Sequence, residues 1–335
     1  MRGVYVVSKG APSGVPMHRR TAGKLAADVH RLLPDHLLDH AERAVTAAGT
    51  HGAPQYVVTL SCADRPGIVR AVSGYLADAG CNILDSQQFG DPHSKRFFMR
   101  VHVEELGEPA GVDALRTGFA AIASEFAMDW RINDLAERPR VLIMVSKLGH
   151  CLNDLLFRRE SGYLDIDVPA IVSNHPDFAA LARWHGIGFH HVPVTPDTRA
   201  DAEARLLELV EEHRIDLVVL ARYMQVLSDD LCAKLAGRAI NIHHSFLPSF
   251  RGARPYHQAF ERGVKLIGAT AHYVTAKLDE GPIIEQEVQR VDHTDRPEDL
   301  VGVGRDVECL ALARAVRWHV EHRILLNGDR TVIFR

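Results

Sequence analysis

The chain has 335 residues, of which 46% are hydrophobic and 24% charged, an ordinary balance for a soluble protein of one to three domains. Its formal net charge of −4 gives no overall argument for binding nucleic acid or a membrane surface, and no apolar run approaches the ~20 residues of a membrane span. The five cysteines are scattered without a CxxC pair, which predicts reduced thiols, no zinc site and a cytoplasmic location.

Residues 1–54 differ in composition from the rest of the chain. They contain seven Lys/Arg, four Asp/Glu and five histidines, and a possible helical stretch over residues 25–48 is interrupted by Pro34. We expect a poorly ordered extension or, alternatively, a misplaced start, with Met17 as another possible first residue. A transit peptide is the less favoured alternative because acidic residues such as Asp28 and Glu42 are atypical of one.

Residues 55–136 predict a small βαββαβ module. β-Branched and aromatic residues favour its strands, apolar residues at helical spacing favour its two helices, and Gly80 ends the first helix. A hairpin across residues 90–92 joins two of the strands. The predicted strands are Tyr56–Ser61, Asn82–Phe89 and Arg96–Val103, and the predicted helices are Ile68–Ala79 and Leu115–Phe126.

The turn Asp64-Arg65-Pro66-Gly67, between the first strand and helix, resembles the corresponding turn of ACT domains. The resemblance implies a ferredoxin-like fold, pairing of subunits edge to edge in a homo-oligomer, and an amino-acid effector. Asp64, Gly67 and Asn82 are the candidate effector contacts. The alternative, that the module serves assembly only, remains open.

Residues 138–335 alternate between apolar strand patterns and helical patterns, which favours a Rossmann-like domain with a mainly parallel sheet. An antiparallel pair, Lys265–Val274 and Ile283–Val291, is predicted at the end of this sheet, followed by a long helix over Pro297–Arg323 and a short strand at Thr331–Phe334. The other predicted strands are Val141–Ser146, Asp167–Ser173, Phe189–Pro193, Leu217–Ala221 and Ala239–His243. The other predicted helices are Asn153–Glu160, Asp177–Trp184, Ala200–His213 and Asp229–Leu235.

Three polar residues lie at strand ends or turns of this domain. Asn241 and His243 are two residues apart, so on an extended strand they point to the same side. Asp279 lies on a Gly/Pro turn in front of an apolar strand. An amide that donates without titrating, an imidazole and a carboxylate suit the attack of a nucleophile from solution on a small carbonyl group.

Several motifs in order resemble the folate-dependent formyltransferases, over roughly residues 55–335. They are Asn241-Ile242-His243 with Ser245, Leu247-Pro248-Ser249-Phe250 and Leu278-Asp279-Glu280-Gly281. The doubled His243-His244, the stretch 221–228 and the stretch 146–152 are similar to the hydrolytic branch of the family, the formyltetrahydrofolate deformylases. The resemblance implies that Asn241, His243 and Asp279 are catalytic.

Two further histidines belong to the candidate site. The resemblance implies that His272 orients the Asp, with a satisfied core histidine as the alternative, and that His244, where related transferases have Pro, contacts water or the formyl group. Adjacent residues on a strand point to opposite faces, so His243 and His244 make a poor metal site, and none is expected.

The resemblance also implies that residues 222–227 bind the pterin ring of the folate. Their backbone groups would read the edge of the ring while apolar side chains pack on its face, and a plain buried loop is the alternative. The loop 146–150 lacks the Gly-rich run of a phosphate cradle, which is consistent with the absence of a phosphorylated second substrate. The candidate residues are Arg222, Met224, Gln225, Val226 and Leu227.

The resemblance therefore implies a hydrolase that converts 10-formyltetrahydrofolate and water to formate and tetrahydrofolate, without a further cofactor. It would supply formate to purine synthesis and balance one-carbon pools. The main alternative is a formyltransferase to an amine such as glycinamide ribonucleotide. A regulator that only binds folate is a third hypothesis, which the intact Asn241, His243 and Asp279 set disfavours.

Overall fold

A computed structural model gives the fold and describes residues 53–244 and 255–335. The predicted extension, apart from its last two residues, lies outside the described residues, and so does the stretch 245–250 of the motif after His244. Within the described ranges, no helix is both long and apolar enough to cross a membrane.

The first module has the predicted βαββαβ order and one antiparallel sheet of four strands, β2-β3-β1-β4. The first helix begins directly after Gly67, whose φ of 101° is a conformation that favours glycine. In chain order the elements are β1 (Gln55–Ala63), α1 (Ile68–Asp78), β2 (Cys81–Asp91), β3 (Arg96–Glu105), α2 (Val112–Glu125) and β4 (Asp129–Asp134).

The second sheet has seven strands in the order β11-β10-β9-β8-β5-β6-β7. Strands β5 to β9 run parallel to their neighbours, and β10 is antiparallel to both β9 and β11, as predicted. The strands are β5 (Arg140–Val145), β6 (Asp167–Ser173), β7 (Gly188–His191), β8 (Leu217–Leu220), β9 (Ala239–His243), β10 (Leu266–Tyr273) and β11 (Ile283–Arg290). The helices are α3 (His150–Glu160), α4 (Ala179–Trp184), α5 (Arg199–Glu212), α6 (Asp229–Lys234), α7 (Pro255–Glu261) and α8 (Pro297–Val320).

The central strands are apolar runs covered on both faces, the pattern of a parallel sheet. All of Val141–Val145 in β5 is buried. From β5 the chain continues to β6 on one side and later returns to β8 on the other, so the strand order reverses between β5 and β8. In open α/β sheets, ligands bind beyond the carboxyl ends of strands at such a reversal. The ends of β5, β8 and β9 are therefore where a site is expected.

The two sheets are joined through the carboxyl end of α8. Arg100 in β3, which is 5% exposed, donates from Nη2 to the carbonyl of Glu321 (3.1 Å) and from Nε to that of His322 (3.2 Å). A cation at the end of a helix satisfies carbonyls that have no partner within the helix. The outer face of the first sheet therefore packs against the domain that carries α8.

Several features differ from the sequence-based predictions. Helices α2 and α3 begin three residues before their predicted starts, at Val112 and His150, and α8 ends three residues before the predicted Arg323. Helix α7 was not predicted. The single strand predicted at the carboxyl end is the second half of a hairpin, β12 (Ile324–Asn327) and β13 (Arg330–Ile333). The two strands are short and flank Gly328-Asp329, and neither alternates strongly, which is why the first of them was missed.

Candidate active site

The candidate site is built on the antiparallel pairing of β9 and β10. In this register Asn241 lies directly opposite His272. His243 is two residues further along β9 and points to the same side as Asn241, as the spacing predicts. A register shift in the pairing of β10 with β11 falls between Ala271 and His272, and such irregularities re-aim side chains next to active sites.

Asp279 reaches this strand pair on the turn between β10 and β11. Its φ is 56°, a left-handed conformation that Asp tolerates better than most residues. The turn is tight, because Tyr273 donates its backbone N–H to the carbonyl of Pro282 (3.0 Å) and a side chain at Gly281 would overlap the Tyr273 carbonyl oxygen. The backbone of the turn therefore fixes the position of the carboxylate.

His243 and Asp279 form the central contact of the site. Nδ1 of His243 lies 3.2 Å from Oδ2 of Asp279. This hydrogen bond holds the pKa of Asp279 well below its usual range, despite the opposing effect of burial. Asp279 is therefore an ionised carboxylate that accepts the Nδ1–H of His243 and fixes its orientation.

The two nitrogens of His272 have different roles. Nδ1 lies 2.9 Å from the carbonyl oxygen of Tyr273, so it carries the proton and donates it. Nε2 is then an acceptor for Nδ2 of Asn241 at 3.3 Å, and it lies 3.7 Å from Oδ1 of Asp279. His272 is 3% exposed. It is thus a buried histidine whose Nε2 lies near both the Asn241 amide and the Asp279 carboxylate, and the Asn241 amide keeps a second N–H for another acceptor.

The other nitrogen of His243 has no partner among the residues that the structure describes. Nε2 is buried and makes no hydrogen bond to any described residue. A buried polar atom without a partner is uncommon in a folded protein and indicates a group that a ligand or water completes. With Nδ1 held by Asp279, the Nε2 of His243 is the atom of the site that is free to act on a bound carbonyl.

His244 lies beside His243, not on the opposite face of the strand as predicted. The two rings stack with their centroids 5.0 Å apart and an angle of 23° between their planes. The prediction was wrong because β9 ends at His243, and strand alternation does not extend to the bend at His244. Burial, with the charges of Arg222 and His243, lowers the pKa of His244 to about 4. Its neutral ring is suited to hold a water by hydrogen bonds.

The predicted pterin loop follows β8 and is anchored to the end of β5. Ser146 Oγ donates to Asn174 Oδ1 (2.7 Å) and accepts the N–H of Met224 (3.0 Å). The side chains of Met224 and Val226 are each 56% exposed. A loop with two large apolar side chains directed outwards is available to cover the face of a flat ring.

The remaining predicted loop residues point elsewhere. Leu227 is buried and Gln225 is half-buried, and both line a cavity of about 20 Å³, room for roughly one water. Arg222 has its side chain turned into the domain, where Nε lies 3.4 Å from Oε2 of Glu308. Arg222 thus joins a buried network rather than the exposed face of the loop.

The three candidate effector residues of the first module are not brought together within one chain. Gly67 precedes α1, and Asp64 lies beside Gly90 near the end of β2. Asn82 is at the beginning of the same strand, where its Nδ2 donates to Oε1 of Glu104 (2.8 Å). At ~3.3 Å per residue, Asn82 and Gly90 are about 26 Å apart along β2. A pocket with contributions from both ends requires two chains.

The sequence analysis missed a buried polar cluster centred on Glu308 in α8. Glu308 is 1% exposed, and its carboxylate accepts hydrogen bonds from His150 Nε2 and Tyr256 OH, both at 2.7 Å. The missed signal is a glutamate on the same helix face as the buried Gly304 and Leu312, where an apolar residue is expected.

This cluster includes the atoms best placed to hold a metal. Within the described part of the chain, ligand atoms of His150, Cys151 and Glu308 lie within 4.8 Å of one another. A hydrogen bond with the Cys309 thiol, together with burial, raises the pKa of the Cys151 thiol well above its ordinary value, and Glu308 already has three partners. A protonated thiol and an adjacent guanidinium do not suit a cation. The donor set fits a hydrogen-bonded network.

Comparison with known proteins matches both halves of the chain. The formyl transferase family profile matches residues 139–316, and the ACT domain profile matches residues 56–117. A formyltetrahydrofolate deformylase from Corynebacterium sp. (strain P-1) is 55% identical over 84% of this chain and 98% of its own length.

Solved structures give the same picture. A formyltetrahydrofolate deformylase from Burkholderia mallei is 58% identical, with a TM-score of 0.81, and the match covers 84% of this chain and all of that one. A glycinamide ribonucleotide transformylase from Symbiobacterium toebii is 32% identical with a TM-score of 0.56, and the match covers 60% of this chain and 97% of that one. The transferase is thus the more distant neighbour of the two.

Proposed function

The chain belongs to the formyltetrahydrofolate deformylase family, and from that premise we propose that it hydrolyses 10-formyltetrahydrofolate to formate and tetrahydrofolate. The observation that carries the proposal for this site is His243. Its Nδ1 is fixed by Asp279, and its Nε2 is buried and has no partner in residues 53–244 or 255–335. This arrangement fits a group that acts on a carbonyl oxygen.

The residues have the following proposed roles. Water attacks the formyl carbon, and negative charge develops on the formyl oxygen. The free N–H of Asn241 and the Nε2–H of a protonated His243 stabilise that oxyanion, each of the two donors contributing on the order of 10²–10³ in rate. Because Asp279 is ionised, it stabilises the positive charge of His243. His272 keeps the Asn241 amide in place through the 3.3 Å contact.

Hydrolysis also requires movement of protons. One proton of the attacking water ends on N10 of the leaving tetrahydrofolate, and the other is released when formate forms. Asp279 is a weak base because its pKa is low, so His243 is the group that carries a proton across the site. The neutral His244, stacked on His243, is suited to orient the water.

The pterin ring is proposed to bind at residues 222–227. Support comes from the exposed Met224 and Val226 side chains and from the Ser146 hydroxyl, which fixes the backbone of the loop at Met224. The position at the carboxyl end of β8, beside the reversal of strand order, is the usual location of ligands in this class of sheet. Neither a metal nor a further cofactor is part of the proposal.

The test of this function measures formate release from 10-formyltetrahydrofolate, first without an amine and then with glycinamide ribonucleotide. We expect formate at full rate in both conditions, because water is the acceptor. Rapid formyl transfer to the amine, with only slow hydrolysis in its absence, would instead support the transferase. Binding of folate without either reaction would support a binding protein.

For the biological setting, we propose that the formate supplies purine synthesis and that the reaction balances one-carbon pools in the cytoplasm. The cysteines are consistent with a reducing compartment, since all five are free thiols and four of them are buried.

The ACT domain suggests regulation by an amino acid and assembly into a homo-oligomer. We propose an effector pocket at a subunit interface, because Asn82 begins β2, an edge strand of its sheet, while Asp64 lies beside Gly90 near the other end of that strand. Calorimetry with the common amino acids tests this, with Asn82→Ala expected to weaken the response and spare the chemistry. Absence of binding by every amino acid would leave assembly as the function of the domain.

A further inference from the structure

The domain contains a buried ion pair, Arg222 with Glu308, that the proposed chemistry does not use. Glu308 is 1% exposed and Arg222 is 9% exposed, and their charged groups approach to 3.4 Å. Burial raises the pKa of Glu308, but hydrogen bonds from His150 and Tyr256 and the charge of Arg222 outweigh it, so the pKa lies below its ordinary value. The pair is therefore ionised, and such a pair is costly to bury unless its hydrogen bonds are complete.

The backbone of Arg222 is strained. Its φ of 64° is left-handed, a conformation that favours glycine, and its carbonyl accepts the N–H of Ser146 (3.3 Å). A large side chain persists at such a position only where the surroundings hold it, and such residues cluster at functional sites. The guanidinium of this residue is turned into the domain, where its Nε lies 3.4 Å from Oε2 of Glu308.

The Arg222 side chain is also incompletely bonded. Its Nε and Nη1 are buried and donate to no described residue, since the contact with Glu308 lacks hydrogen-bond geometry. The same is true of His243 Nε2, whose ring stacks on His244. Burial first, and then the charge of Arg222, lower the pKa of His244. Arg222 follows Leu220 of β8, which pairs with Asn241 of β9, so these buried donors lie at adjacent strand ends, and such open donors indicate a polar ligand.

We propose that Arg222, held by Glu308, forms with His243 and His244 a subsite for a small carboxylate, the formate that the reaction releases. The inference rests on the proposed deformylase activity and extends it. A guanidinium is the side chain best suited to a carboxylate, because its planar donors match the two oxygens.

The subsite matches the product of hydrolysis and not that of transfer. In hydrolysis the water oxygen bonds to the formyl carbon and the bond from that carbon to N10 breaks. One proton of the water ends on N10, the other is released, and formate leaves as a carboxylate anion. Formyl transfer to an amine passes through a similar oxyanion but yields a neutral amide and no carboxylate. A guanidinium at this site therefore stabilises the product of hydrolysis but not the product of transfer.

The primary test measures formate binding without turnover. Carbon-13 formate is titrated with the full-length protein in the absence of folate, and its NMR line width is followed. We expect Arg222→Gly to weaken formate binding at least tenfold. Glycine is chosen because it adopts the left-handed backbone conformation of this position without strain. Arg205→Ala removes an exposed arginine of α5 that pairs with Glu208, and it is the matched control, with unchanged formate binding.

Removal of Arg222 alone leaves Glu308 buried without its counter-charge and could unfold the protein. The double variant Arg222→Gly, Glu308→Gln removes both charges, and it is expected to fold and show the same loss of formate binding. In turnover, Arg222→Gly is expected to lower kcat at least 100-fold, with KM for the folate changed less than threefold. Added guanidinium ion should restore part of the lost kcat.

The outcomes separate the two proposals. Wild-type protein that binds no formate, or folded variants that bind it as tightly as wild type does, would overturn the subsite whatever the activity. Arg222-dependent formate binding without any release of formate from 10-formyltetrahydrofolate would retain the subsite and reject the deformylase function.

Discussion

Nδ1 of His243 and Oδ2 of Asp279 lie 3.2 Å apart, although one residue ends β9 and the other lies on the turn between β10 and β11. The contact leaves Nε2 of His243 as the only nitrogen of the ring that is free for a substrate. It also makes the activity depend on the position of a turn as much as on the identity of the side chains.

The role of the carboxylate is tested by Asp279→Asn. Asn tolerates the left-handed φ of 56° as well as Asp does, so the folded structure should be kept. The charge that holds His243 is lost, and we expect the rate of formate release to fall by a factor on the order of 10²–10⁴. Formate release and folate affinity are measured together. An equal loss of affinity would indicate that Asp279 acts in binding and not in catalysis.

The position of the turn is tested by Gly281→Ala. A Cβ at this residue would overlap the carbonyl oxygen of Tyr273, so the turn that carries Asp279 must move. We expect a lower melting temperature and a rate of formate release at least about tenfold lower, since small displacements of a catalytic group are costly.

Gly302→Ala is the matched control for that change. Gly302 lies inside α8, and an added Cβ would have no atom within 4 Å. This substitution should raise the free energy of unfolding by about 0.5–1 kcal/mol and leave the rate unchanged. If Gly281→Ala leaves the melting temperature and the rate of formate release unchanged, the turn can accommodate the added Cβ without moving Asp279.

A pH effect on stability is expected from His319. The Tyr273 hydroxyl and His319 Nδ1 share a hydrogen bond of 2.8 Å, and burial lowers the pKa of His319 to about 3. In the unfolded chain this histidine has an ordinary pKa of about 6.5, so the unfolded chain binds the proton more readily. The folded state therefore becomes less stable as the pH falls from about 6.5 towards 3. Urea unfolding of wild type and His319→Gln at pH 7.5 and 5 measures this. Between pH 7.5 and pH 5, the free energy of unfolding should fall less for the variant than for wild type. Equal decreases would show that groups other than His319 cause the loss of stability.

The amino-terminal extension is tested by removal. The Burkholderia mallei structure is matched over its whole length by 84% of this chain, and the resemblance to the family begins only near residue 55. A shortened chain that begins at Ala53 should therefore melt at the same temperature and release formate at the same rate. Aggregation or a melting temperature many degrees lower would show that the first 52 residues stabilise the rest.

Local pattern was sufficient for most of the architecture. The strands at Asp167–Ser173 and Ala239–His243 have the predicted bounds, because apolar runs of this length between turn residues leave few alternatives. The spacing of Asn241 and His243 likewise predicted that both point to one side, and Asp279 was singled out by its turn. These properties depend only on neighbours in sequence, so the sequence alone determined them.

Tertiary structure decided what depends on residues far apart. The stacking of His243 and His244 arises because β9 ends between them, and the inward course of Arg222 depends on Glu308 in α8. A glutamate on the apolar face of a helix indicates that a polar or charged side chain lies against it, but the sequence does not show which one. The separation of Asp64 from Asn82 likewise follows from how β1 to β3 align. These three features are set by packing between segments that are distant in sequence. The free energy of a buried charge, and of one strand alignment over another, depends on neighbouring groups that do not appear in the local sequence pattern.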